Sequence, residues 1–179
     1  DTIVIAGDSL TSGFHKTEYE PGKYIINHGL YGDNLEAFTE RFRKTIAPEK
    51  PDMLFILIGI NNFALGHFPA EIHELYLKLL DTVKGLLPDT IVYITSLLPT
   101  RDIENRPNEI IVAVNSDLQA LCSQRGVGYF NLHDSFCAAD GAIMPELTTD
   151  GLHLSEQGYI LWKDKLIEKI KEIRSRGQS

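Results

Sequence analysis

Three side chains far apart in the chain have the types that activate a hydroxyl. Ser9 stands in Gly7-Asp8-Ser9-Leu10, where the apolar run Ile3-Val4-Ile5-Ala6 reaches a turn. Asp150 and His153 stand near the other end, in Asp150-Gly151-Leu152-His153. A serine hydroxyl is a weak nucleophile at neutral pH and needs a base within hydrogen-bond reach. The Asp-x-x-His spacing lets the carboxylate hold one ring nitrogen while the other faces Ser9, the division of labour among nucleophile, base and orienting acid. An oxyanion forming at the attacked carbon needs donors set in place beforehand. The backbone N–H groups of Ser9 and Gly32 and the side-chain amide of Asn61 suit that role, since glycine permits close approach and asparagine donates without charge. Taken alone, the first octamer fits a plain helix start equally well, with Asp8 or Ser9 as its cap. The distant partners decide between the two.

These residues meet only if the elements between them lie side by side. Apolar runs predict strands at 3–7, 24–28, 53–58, 91–95 and 127–132. Between them, helical spacing recurs. Asp33 or Asn34 caps a helix with the stripe Leu35, Phe38, Phe42 and Ile46, and further helices run over 69–87, 108–124 and 156–174. Strands alternating with helices predict parallel pairing and right-handed crossovers. The expected architecture is therefore a single domain over 1–179, a three-layer α/β/α sandwich around a five-stranded parallel sheet of flavodoxin-like type. In such sheets the loops after the strands open on one edge. Ser9, Gly32, Asn61, the Leu97–Thr100 segment, and Asp150 with His153 would gather there. Phe14, Tyr31, Phe63 and Leu98 are expected to wall a small substrate pocket, shaped also by the charged 100–108 loop with Arg101 and Arg106, and 138–148 is the one loop that could fold over it.

Composition narrows the classes. A net charge of −8 disfavours a nucleic-acid partner, whose binders present a basic face. Apolar runs are strand-sized, so no membrane span is expected. Cys122 and Cys137 form no CxxC pair and are expected as two buried thiols, and no cluster has metal-ligand spacing. His133-Asp134-Ser135 holds all three residue types of a relay, but consecutive side chains diverge, and a helix start capped by Asp134 explains it better. The chain opens at Asp1 rather than Met. The cytoplasm is the favoured expectation for its compartment, with a secreted or periplasmic location the alternative. The oligomeric state is left open.

The blocks Gly7-Asp8-Ser9-Leu10, Gly32-Asp33, Gly59-x-Asn61 and Asp150-x-x-His153, in this order, resemble the signature blocks of the SGNH (GDSL) hydrolases. Connecting phrases fit too, such as Leu154-Ser155 and Gly158-Tyr159. The resemblance implies an esterase with Ser9 as nucleophile, His153 as base and Asp150 as its partner. It further implies an oxyanion hole from Ser9, Gly32 and Asn61, and no metal or organic cofactor. Two positions depart from the family pattern: Asn62 stands where Asp is usual, and Asn34 where Thr or Ser is common. Restoring Asp at 62 is expected to be close to neutral. The expected activity is hydrolysis of small carboxylic esters with short acyl groups, carbohydrate O-acetyl esters among them, through an acyl-enzyme on Ser9. An acyltransferase, a lysophospholipase or a thioesterase would use the same triad. A non-catalytic module binding a glycan or acyl group would keep only the fold.

Overall fold

In the computed structural model, which describes residues 1–177, apolar runs become the central strands. β1 (Ile3–Gly7) is buried along its whole length and runs into the short helix α1 (Ser9–Ser12). An antiparallel hairpin follows, β2 (Glu18–Glu20) and β3 (Lys23–Tyr24), then the edge strand β4 (Ile26–Gly29). The helix α2 (Leu35–Thr45) precedes β5 (Met53–Leu57), again wholly buried. Next come α3 (Ile60–Ala64), α4 (Pro69–Leu86), β6 (Ile91–Thr95), α5 (Asn108–Gln124) and β7 (Gly128–Phe130). The chain continues through α6 (His133–Phe136) to the long α7 (Glu156–Arg176).

The five-stranded sheet has the order β4-β1-β5-β6-β7, and every neighbouring pair is parallel. Helices flank it to give the three-layer α/β/α sandwich. Gly7 lies level with Gly29 on one side and Leu57 on the other, so the ends of the three strands nearest Ser9 are aligned. α2 shows how the outer layers attach. Asn34 caps it, accepting from Ala37 N at 2.9 Å, and Leu35, Phe38 and Phe42 are fully buried. Each such side chain contributes about 1.5–3 kcal/mol by leaving water. α7 holds the other layer through Trp162 and Tyr159, whose rings meet Phe14.

Differences from the sequence-based expectation fall at the periphery. The turn-rich stretch at Glu20-Pro21-Gly22 is the tip of the β2–β3 hairpin, and the expected strand over 24–28 divides into β3 and β4. The 53–58 and 127–132 strands shorten, and α3 opens where a loop was expected. Asp134 lies inside the first turn of α6 rather than capping it; Asn131 Oδ1 accepts from Asp134 N at 3.3 Å instead. Cys122 is buried, and burial pushes its thiol up to about 12, whereas Cys137 is only half-buried. Among the described residues no helix is long and apolar enough to cross a membrane.

Candidate active site

Ser9 is the first residue of α1 because Asp8 takes the cap, accepting from Leu10 N at 3.0 Å. The hydroxyl is thereby left free of capping duty at the end of β1. Its Oγ lies 3.3 Å from His153 Nε2, and His153 Nδ1 lies 2.7 Å from Asp150 Oδ2. The other carboxylate oxygen of Asp150 accepts from His153 N at 2.7 Å and Leu152 N at 2.9 Å. Desolvation works to raise the Asp150 carboxyl, but the His153 ring, His153 N and Leu152 N outweigh it and bring the group to about 2. Asp150 is therefore an anion at any pH near neutrality. It fixes the imidazole so that Nδ1 carries a proton and Nε2 faces the serine as an acceptor.

The turn bearing Asp150 and His153 is tied to the loop after β6 at Gly151. Its carbonyl accepts from Arg101 N at 2.9 Å, and its φ is +92°. A Cβ there would stand 2.1 Å from Arg101 O, so only glycine lets the two loops touch.

The loops after β4 and β5 meet at Asp33 and Asn61. Gly32 has φ +78°, in the left-handed region that the turn Leu30–Asp33 requires, with Asp33 N donating to Leu30 O at 3.2 Å. Asn61 Nδ2 donates to Asp33 O at 2.8 Å, and Asn61 Oδ1 accepts from Arg106 Nη2 at 3.1 Å. The structure thus assembles Ser9, Asp150 and His153 by direct contact. It also ties Asn61 to the residue next to Gly32.

Three residues outside the signature blocks hold this arrangement. Arg41, on α2, donates to Asp33 Oδ2 at 2.7 Å, to His28 O at 2.8 Å and to Gly7 O at 3.1 Å. One guanidinium therefore joins the end of β1 to β4 and to the loop after it. Tyr159 donates to Leu10 O at 2.7 Å and bolts α1 to α7; burial pushes its phenol up to about 12. Asn62, fully buried, accepts from Leu35 N at 2.9 Å and donates to Glu36 Oε2 at 2.8 Å, with His67 Nδ1 at 3.0 Å. The tyrosine left a trace in the sequence through the Gly158-Tyr159 phrase, and Asn62 as a departure from the family pattern; Arg41 left none.

One expectation is corrected. Phe14, Phe63 and Leu98 do not wall a pocket: all three belong to the core, at 7% exposure or less, and Phe14 packs edge-on against Trp162 at 5.1 Å. Of the four residues expected to contact substrate, Tyr31 alone is exposed, at 79%. The 138–148 loop does not form a lid. Ile143 and Leu147 are core residues, Ile143 N donates to Thr100 O at 3.2 Å, and Arg101 pairs with Asp140 at 2.8 Å. A surface concavity of about 600 Å³, lined by residues such as Arg43, Glu74, Lys78 and Arg125, does not include the triad.

Residues 5–161 match the family model described as GDSL-like lipase/acylhydrolase. No curated protein matches the sequence. Solved structures match throughout. A Streptococcus pneumonia protein provisionally described as a platelet activating factor shares 27% identity at a TM-score of 0.86, over 94% of this chain and 83% of its own. The lipase/acylhydrolase from Enterococcus faecalis shares 23% identity at 0.78, over 96% and 95%. A variant of an acetyl-xylooligosaccharide esterase from Geobacillus Stearmophilus shares 16% identity at 0.75, over 94% and 93%. The chain belongs to the GDSL-like lipase/acylhydrolase family and is a hydrolase of ester bonds.

Proposed function

We propose that the protein hydrolyses carboxylic esters with short acyl groups, carbohydrate O-acetyl esters among them, through an acyl-enzyme on Ser9. The observation that carries this reading is the unbroken chain from Ser9 Oγ through His153 to Asp150, which leaves Nε2 facing the hydroxyl. Ser9 Oγ attacks the ester carbonyl as His153 Nε2 takes its proton, and the Asp150 carboxylate stabilises the imidazolium that forms. Negative charge builds on the carbonyl oxygen, where the N–H groups of Ser9 and Gly32 and the second amide N–H of Asn61 receive it. Collapse breaks the C–O bond, and the leaving alcohol takes the proton back from His153. Water then repeats the sequence on the acyl-enzyme and releases the acid. Ser9, Gly32 and Asn61 in this role, and Tyr31 as a substrate contact, belong to the same proposal.

Two features support a short acyl group. Each methylene kept from water is worth about 0.8 kcal/mol, so long chains are favoured by an enclosing apolar tunnel or lid. Here the segment closest to being a lid is anchored into the core through Ile143 and Leu147. The apolar candidates Phe14, Phe63 and Leu98 are likewise committed to packing. A structural relative described as an acetyl-xylooligosaccharide esterase makes O-acetylated sugars the natural class to assay first. The test is a panel of p-nitrophenyl esters of rising chain length beside acetylated sugars. A kcat/KM that peaks at acetate to butyrate supports the reading. A steady climb to decanoate contradicts it.

A further inference from the structure

The geometry points to Arg106 as a positioning residue that holds the Asn61 amide in the one orientation able to donate to the oxyanion. This rests on the acyl-enzyme reading above and adds a residue to it from outside the signature blocks. An asparagine amide offers one acceptor oxygen and two N–H donors, and a half-turn exchanges them. At Asn61 the oxygen accepts from Arg106 Nη2 at 3.1 Å, and one N–H goes to Asp33 O at 2.8 Å. The second N–H has no protein acceptor among the described residues. Flipping the amide would turn the NH₂ group onto the guanidinium and the oxygen onto the Asp33 carbonyl. Both hydrogen bonds would become repulsions, so Arg106 and Asp33 together forbid the flip and leave one donor free.

The guanidinium is itself held. Its Nε donates to Ile60 O at 3.2 Å and its Nη1 to Asn105 Oδ1 at 3.1 Å. Thr100 Oγ1 donates to Arg106 O at 2.8 Å, and Asn108 closes the same loop by bonding both Thr100 N and Thr100 O at 2.8 Å. A planar fork is needed, because Ile60 O and Asn61 Oδ1 belong to consecutive residues and are gripped from one side. A lysine ammonium keeps the charge but not the paired geometry. The Arg106 loop also contributes Arg101 N to Gly151 O, so one strap braces the Asn61 amide and the Asp150–His153 turn.

The test is a double-mutant cycle on p-nitrophenyl acetate. Arg106→Met is expected to lower kcat about 10- to 100-fold with KM within about twofold, the signature of a misplaced transition-state donor. In an Asn61→Ala background the same change should cost less than about threefold, because the amide it positions is already gone. Arg106→Lys should lose most of the same kcat and reads the question if the methionine variant does not fold. An equal cost in both backgrounds, a loss confined to KM, or a lysine variant with wild-type kcat overturns the proposal. Labelling of the wild-type chain by a fluorophosphonate, together with an inactive Ser9→Ala, keeps the acyl-enzyme reading standing in that case. An active Ser9→Ala brings down both.

Discussion

The two halves of the site are built differently. The proposed oxyanion side rests on a buried base: beside the exposed Gly32 and the half-buried Asn61, the Asp33 side chain is 3% exposed and Asn62 is fully buried. It is sewn together by long-range bonds from Arg41, Arg106 and Glu36, each reaching from another segment of the chain. The acid–base side is a short turn near the surface, with side-chain exposures of 36% for His153 and 53% for Asp150. Most of its bonds are internal to the turn: Thr148 Oγ1 to His153 O at 2.7 Å, Gly151 N to Thr148 Oγ1 at 2.8 Å, and the Asp150–His153 contacts. The contrast follows from the chemistry. A proton carrier needs one partner and a defined tautomer, which a local turn supplies. Electrostatic stabilisation of a transient anion needs donors that do not reorganise, and rigidity of that kind comes from tertiary structure.

The sharpest break lies at the seam between the halves. Ser9→Ala is expected to lose ester hydrolysis by several orders of magnitude while remaining folded, as activity and circular dichroism together would show; retention of more than about a tenth of the turnover contradicts the triad. On the oxyanion side, Asn61→Ala should cost roughly 10²–10³ in kcat with little change in KM. A raised KM with intact kcat would make Asn61 a ground-state contact instead. Gly151→Ala probes the turn through its one close approach to Arg101 O. It should lower kcat more than tenfold while moving Tm by only a few degrees, because the turn contributes little to the core.

The Asn62 position sharpens the comparison and revises the expectation of neutrality. The amide donates to Glu36 Oε2 at 2.8 Å, so Asn62→Asp would set a fully buried carboxylate against that of Glu36, which is half-exposed. A loss of about 1–3 kcal/mol in stability is expected, recovered in part by adding Glu36→Gln. Denaturant midpoints of the single and double variants check this; a neutral Asn62→Asp refutes it. The smallest effect concerns Asp8, next to the nucleophile. Burial raises its carboxyl to about 7 against the pull of Leu10 N, and its Oδ2 has no partner among the described residues. In the unfolded chain the group titrates at about 3.9, so between that pH and about 7 the folded state holds the extra proton and stability falls as pH rises. Asp8→Asn keeps an oxygen for Leu10 N and should flatten that decline in Tm. An unchanged slope would exclude Asp8 as its source.

The same contrast explains what was legible in the sequence. The strands were, because β1 and β5 are unbroken apolar runs. The Asp150–His153 turn was, because its logic is contained in four consecutive residues. Ser9, Gly32 and Asn61 were recognisable as types at the ends of strands. Their supports were not: nothing local distinguishes Arg41 from a solvated arginine, and Arg106 stood only as one charge in a loop expected to shape the pocket, since the partners of both are backbone carbonyls and side chains of other segments. Phe14, Phe63 and Leu98 misled for a related reason. An apolar residue beside a site reads the same whether it faces the cavity or the core, and tertiary packing decides. The β2–β3 hairpin escaped notice because Glu18, Glu20 and Lys23 show no apolar alternation.

The most direct measurement is an acid quench of the protein during turnover of p-nitrophenyl acetate, followed by peptide mass spectrometry. The acyl-enzyme account predicts an acetyl group on the peptide containing Ser9, on the serine itself, and none in the Ser9→Ala variant. Hydrolysis that proceeds with the acetyl group on another residue, or with no covalent adduct under conditions that trap one on a known serine esterase, would contradict it.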